Sequence, residues 1–208
     1  MQKEILDHTR LNFDDILYEK CEKFISILKQ WGSIHNLTSS INHQDILDNI
    51  IDSIYPLKFL KDFSNFADIG TGCGYPGLIL AIFNPNIKAT LIEPRTKQVS
   101  FLNFIKNSLD LQNVTIIDQK VENISQNIKY DLITSRAVKN TKLLLNISKN
   151  IIKPSTKLLF YKGTMIKDEL KDISSIKDYE IITTNNSKSN RNYLYIKSLK
   201  LKQKDITL

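Results

Sequence analysis

Cysteine is scarce in this 208-residue sequence. Cys21 and Cys73 are too few and too badly spaced for a disulfide framework or a zinc site, so both thiols are expected to be reduced and no metal is expected. Long apolar runs are missing too. The longest of note, Leu78 to Phe83, is far too short to span a bilayer, and Met1-Gln2-Lys3-Glu4 has no basic stretch leading into an apolar one. These absences predict a soluble cytoplasmic protein that does not bind membranes, and a monomer is expected. There is no internal repeat, and the isolated His35 and His43 read as solvated or structural.

Glycine is rare as well, but four of the six glycines fall in one stretch, Phe66-Ala67-Asp68-Ile69-Gly70-Thr71-Gly72-Cys73-Gly74-Tyr75-Pro76-Gly77. It reads as a short buried strand, a tight turn and the start of a helix, a nucleotide-cofactor loop in which glycines allow positive φ or close approach of a ligand or helix. Gly72-x-Gly74-x-x-Gly77 fits the dinucleotide fingerprint and keeps an NAD-dependent oxidoreductase open as an alternative. Asp68, two residues before Gly70, argues against it. A carboxylate there disfavours a pyrophosphate and suits a cationic ligand, either by holding the loop through backbone N–H groups or by facing a positively charged amino-acid moiety. That chemistry points to S-adenosylmethionine.

Charge is unevenly distributed. Residues 1–135 carry 13 Lys and Arg against 16 Asp and Glu, whereas residues 136–208 carry 16 against 6, which together give the net +7. A basic half on a slightly acidic enzyme suggests a nucleic-acid partner. The Lys, Asn and Ile bias of the whole chain is also what an AT-rich genome produces. That bias is the plain reading against such a partner; a non-catalytic RNA-binding module of methyltransferase fold is a second alternative.

The pattern along the chain predicts an N-terminal helical segment over 1–62, packed on a catalytic domain over 63–208. Asn12 reads as the cap of a helix from Phe13 to about Trp31, and Gly32 as its C-terminal cap. A second amphipathic helix runs from about Gln44 to Ile54 and ends or bends at Pro56. From Phe66 on, apolar runs alternate with helical patterns, the mark of βαβ units and a parallel sheet. The strands are placed at Phe66–Ile69, Ala89–Glu93, Val114–Ile117, Asp131–Thr134 and Leu158–Tyr161, with helices from about Lys97 to Leu109, Asn140 to Ile152 and Ile166 to Ile176. Strands near Tyr179–Thr183 and Tyr193–Leu199, joined by the polar loop Asn185–Asn192, predict an antiparallel hairpin at the sheet edge. The lysines at 197, 200, 202 and 204 form a basic edge that could also guard against aggregation.

Glu93, at the end of the second strand, is placed to accept both hydroxyls of an adenosine ribose. The turn with Val121 and Glu122, after the third strand, is placed beside the adenine. Arg136, read as lying just past the fourth strand, faces the reactive end of the cofactor unless it is a surface arginine on a solvated turn. It could bind the cofactor carboxylate, guide an RNA phosphate or orient guanine through O6. Two further absences bear on the reaction. The segment after the fourth strand is Ser135-Arg136-Ala137-Val138 and lacks the Asn/Asp-Pro-Pro-aromatic loop of amino-group methylation, and neither thiol is placed for carbon methylation. No residue is assigned acid–base catalysis. Guanine N7, with an exposed lone pair and no proton to remove, requires none.

With the glycine loop, Asn36-Leu37-Thr38, Asp52-Ser53, Ser135-Arg136-Ala137 and Lys162-Gly163, the chain resembles the RsmG (GidB) family from about Phe13 to Ile196. The resemblance implies a class I SAM-dependent methyltransferase, an α/β Rossmann-like fold with a seven-stranded, mostly parallel sheet, acting on N7 of guanine 527 of 16S ribosomal RNA in the small ribosomal subunit. It implies cofactor contacts at Gly70, Tyr75, Val121, Glu122 and Arg136, with Glu93 at the usual ribose position; the reading of the loop itself adds Asp68, Gly72 and Gly74. The sequence departs from the family at Cys73 and Tyr75, where proline and leucine are common, and at Asn49, where histidine is frequent. Pro94 and Gln98 also replace the small and basic residues expected there.

Overall fold

A computed structural model describes residues 1–199 except 36, 39, 137–139, 164–165, 172, 174–175 and 187–188. Of the residues singled out above, Asn36, Ala137, Val138, Lys200, Lys202 and Lys204 lie outside the described set, as do positions 187 and 188 of the polar loop.

Three helices precede the sheet: α1 (Gln2–Thr9), α2 (Asp15–His35) and α3 (His43–Ile54). The sequence pattern did not reveal α1. For α2 it placed both ends wrongly. Asn12 is not its cap but lies beside the Tyr18 hydroxyl, and Gly32 lies inside the helix, where a Cβ would stand 2.4 Å from Ile41 Cγ2. That glycine serves the close return of the connector, not the end of the helix. Helix α3 starts where expected because the Asn42 side chain accepts the N–H groups of Gln44 and Asp45, and a 3-10 turn containing Pro56 follows it. Its apolar face, with Ile46, Leu47, Ile50 and Ile54, is fully buried.

Seven strands follow: β1 (Asn65–Ile69), β2 (Lys88–Ile92), β3 (Val114–Ile117), β4 (Leu132–Arg136), β5 (Lys157–Lys162), β6 (Tyr179–Asn186) and β7 (Ser189–Ile196). They form one sheet in the order β3-β2-β1-β4-β5-β7-β6, parallel from β3 to β5 and antiparallel at β7 and β6. Between them run α4 (Gly77–Phe83), α5 (Thr96–Ser108), α6 (Thr141–Ser148) and α7 (Ile166–Lys171). The hairpin strands are longer than the polar composition suggested, and Arg191 and Asn192 pair within the ladder instead of sitting in a loop. Strand β4 likewise continues through Ser135 and Arg136, which pair with Phe160 and Tyr161.

The core lies in two clusters, one on each face of the sheet. One joins α2, α3, α4 and α5 through Phe24, Leu28, Ile50, Leu78 and Phe101; the other lies under α6 and α7 around Ile133, Leu158, Phe160 and Leu194. The N-terminal helices are thus part of the same core as the sheet. The strand order reverses between β1 and β4, and in such sheets ligands sit outside the carboxyl ends at that point. None of the helices among the described residues is long and apolar enough to cross a membrane.

Candidate functional site

At the reversal the chain leaves β1 through the glycine loop. Gly72 and Gly74 have φ of +58° and +100°, a region that other residues adopt at a cost, and Gly70 at +69° bonds its N–H to the Ile92 carbonyl. Gly77 has a different reason. A Cβ there would stand 2.4 Å from Asp68 Cβ, because α4 starts directly against β1. Asp68 fixes this approach. It is fully buried, its Oδ2 accepts the Gly77 N–H at 2.9 Å and its Oδ1 accepts the Thr134 hydroxyl at 2.7 Å. Of the two roles open to Asp68 from sequence, holding the loop is the one the geometry displays.

Burial pushes the Asp68 carboxyl up to about 6, against the bonds from Thr134 and Gly77 that favour its charged form. A carboxyl raised in the folded state binds its proton more tightly than the unfolded chain does. Its stabilising contribution is full below the unfolded value and is lost as pH rises through about 6, on the order of 3 kcal/mol. Asp68→Asn can keep both bonds, with Oδ1 accepting from Gly77 and the amide donating to Thr134. Urea midpoints at pH 4.5 and 7.5 are therefore expected to differ less in Asp68→Asn than in the unsubstituted protein; an equal difference would show that Asp68 does not titrate there.

Glu93 follows β2 and is only 1% exposed. Its Oε2 accepts the Gly72 N–H at 2.9 Å and Arg95 Nη2 at 3.3 Å; its Oε1 accepts the Arg95 N–H at 3.1 Å and Arg95 Nε at 2.8 Å. The loop and the end of β2 are thus joined through one carboxylate. Val121 and Glu122 stand on a 3-10 turn after β3, the strand next to β2; Val121 is buried, and Glu122 is exposed with its carbonyl accepting from Asn150.

Arg136 ends β4, and the structure corrects its placement just past that strand. Its Nη1 donates to Asn49 Oδ1 at 2.7 Å and lies 3.4 Å from Asp52 Oδ2, while its guanidinium covers the Tyr75 ring at 4.8 Å from the centroid. This is a clamped, part-buried cation, not a solvated arginine. Asp52, 3% exposed, also receives Arg191 Nε and the Tyr193 hydroxyl, each at 2.9 Å. Arg191 is therefore an internal partner of Asp52 and not a free loop cation. Sequence reasoning had quoted Asp52 only within a family motif and had not assigned Asn49 or Tyr193 to the site. The signal available was the spacing of Asn49 and Asp52, three apart on a helix and so on one face beside a buried stripe.

Tyr75 turns its ring toward Arg136 on one side and Phe24 on the other, and its own N–H bonds the Thr71 carbonyl at 3.0 Å. That N–H is already engaged within the loop. Cys73 donates to the Leu37 carbonyl at 2.9 Å, and burial pushes its thiol up to about 11. A thiol this strongly protonated is a poor nucleophile, in line with the sequence reading. His35 and His43 are exposed, one against Trp31 and the other beside Lys29. No group of three or more His, Cys, Asp or Glu that could hold a metal occurs among the described residues.

Comparison with known proteins bears on this site. Residues 17–195 match the family model described as rRNA small subunit methyltransferase G (GidB). A protein of Aliarcobacter butzleri named ribosomal RNA small subunit methyltransferase G is 51% identical over 96% of this chain and 100% of its own. One of the same name from Wolinella succinogenes is 43% identical over 82% of this chain and 88% of its own. Among solved structures, a putative O-methyltransferase of Klebsiella pneumoniae aligns with a TM-score of 0.63 over 95% of this chain and 96% of that one, at 11% identity. That likeness shows the fold, the class I methyltransferase architecture.

Proposed function

This chain belongs to the rRNA small subunit methyltransferase G (GidB) family, and on that premise we propose that it transfers a methyl group from S-adenosylmethionine to N7 of guanine 527 of 16S ribosomal RNA. The observation that carries the cofactor part is the pair of buried carboxylates, Asp68 and Glu93, on either side of a glycine loop at the reversal of strand order. Asp68, buried just before the loop, disfavours a pyrophosphate there, which supports S-adenosylmethionine over a dinucleotide, and Glu93 is the acceptor for the ribose. When bound, that cofactor supplies the activated methyl group.

The residues that would hold it are those of the loop from Gly70 to Tyr75, Glu93 at the ribose, Val121 and Glu122 near the adenine, and Arg136 at the reacting end. Positioning and electrostatics are what such a site contributes to methyl transfer. Arg136 is held by Asn49 and Asp52 of α3 and by the Tyr75 ring, so its donors outside those contacts point in a fixed direction. The segment 1–62 thereby takes part in the site of the domain at 63–208. An acceptor with a lone pair and no proton to lose fits a site in which the loop thiol, Cys73, is buried and protonated.

Small subunits lacking this modification, incubated with labelled S-adenosylmethionine and mapped by mass, are expected to gain one methyl on one guanine. Binding of RNA without transfer, or a label on another base, overturns the proposal. Glu93→Ala is expected to weaken cofactor binding by about 1–3 kcal/mol, since the ribose loses a charged acceptor. Unchanged affinity in a calorimetric titration removes Glu93 from the ribose site.

A further inference from the structure

We propose that Arg95 is a competitor of the ribose, carried by the protein itself: its guanidinium occupies the acceptor sites on Glu93 that ribose hydroxyls need, and leaves as they arrive. The inference rests on the reading that this chain binds an adenosyl cofactor. A carboxylate offers about four acceptor sites. On Glu93 four donors are in place, and they divide evenly. Each oxygen takes one backbone N–H, from Arg95 on Oε1 and from Gly72 on Oε2, and each takes one guanidinium N–H, from Nε at 2.8 Å and from Nη2 at 3.3 Å.

The backbone donors belong to the glycine loop and to the residue that opens α5, so the fold fixes them. The guanidinium donors do not. The Arg95 side chain is 64% exposed whereas Glu93 is 1% exposed, so the arginine is the partner free to move. Two vicinal hydroxyls, each donating to one oxygen, ask for the same two sites as the arginine fork. The guanidinium also lies over the loop, with Nη2 3.8 Å from where a Cβ on Gly72 would be. Arg95 therefore sets how tightly the adenosyl group is held and how readily the product leaves. With the guanidinium 64% exposed, solvent screens its attraction to Glu93, so the competition is worth roughly two- to fivefold in affinity.

Calorimetric titration with S-adenosylhomocysteine, the demethylated product, and with its 2′,3′-dideoxy analogue tests this. Arg95→Ala is expected to bind the product roughly two- to fivefold tighter. Its affinity for the dideoxy analogue should be unchanged, and adding Glu93→Gln should abolish the gain. Weaker product binding by Arg95→Ala would show that Arg95 contacts the cofactor and overturn the proposal. So would an equal gain for both ligands, which marks a general charge effect. Should product binding be absent even without substitution, the cofactor reading itself fails, and the proposal with it.

Discussion

Arg136→Ala is expected to lose methyl transfer to small subunits on the order of 10²-fold, the scale on which misplacing a reacting group acts. The fold should survive. Asp52 keeps Arg191 and the Tyr193 hydroxyl when Arg136 is removed, so no buried carboxylate is left without a partner, and the cost is about 2 kcal/mol or less. Lysine preserves the charge but not the planar fork. A single ammonium cannot reproduce the contact with Asn49, the approach to Asp52 and the stacking over Tyr75 together, so Arg136→Lys should recover only a small part of the lost rate. Turnover close to that of the unsubstituted enzyme in Arg136→Ala would end the argument. Affinity for the cofactor then separates the two roles. If it falls with activity, Arg136 serves the cofactor; if it holds, Arg136 serves the RNA.

The clamp around Arg136 also shows where sequence reasoning stops. The glycine loop, the strand positions and the carboxylate at 68 are local or periodic features, legible because spacing alone implies a turn, a buried strand or a helix face. The Arg136–Asn49 contact joins residues 87 positions apart. No periodicity encodes it, because it depends on how α3 lies across the end of β4. Arg191 was misread for a related reason. Asn185–Asn192 is polar enough to look like a loop, yet β7 runs on there past its pairing with β5, and Arg191 donates to buried Asp52. Gly32 reads as a helix cap in sequence because glycine is frequent there, whereas the connector packing on α2 at Ile41 is what requires it. Arg95 stands only two residues from Glu93, but nothing in sequence tells that its side chain folds back instead of reaching into solvent.

Gly77→Ala is expected to cost about 3 kcal/mol of stability, at the upper end of what overpacking a core produces. The added methyl would meet three atoms at once: Asp68 Cβ at 2.4 Å, Asp68 Oδ2 at 2.6 Å and Leu91 Cδ2 at 2.7 Å. The leucine methyl can rotate away. Asp68 Cβ cannot, because it is bonded to the backbone of β1, which is paired on both sides with β2 and β4. Relief therefore requires α4 to retreat from the sheet, which lengthens the Gly77–Asp68 bond and loosens a fully buried carboxylate. The loss should be larger at pH 7.5 than at pH 4.5, since an ionised Asp68 depends on that N–H more than a protonated one does. Gly163→Ala is the matched control. Nothing lies within 4 Å of a Cβ there, so its urea midpoint should stay where it was. If Gly77→Ala and Gly163→Ala unfold at the same urea concentration, close approach of α4 to β1 is not what requires glycine at position 77, and the loop's geometry must rest on the positive-φ glycines Gly70, Gly72 and Gly74.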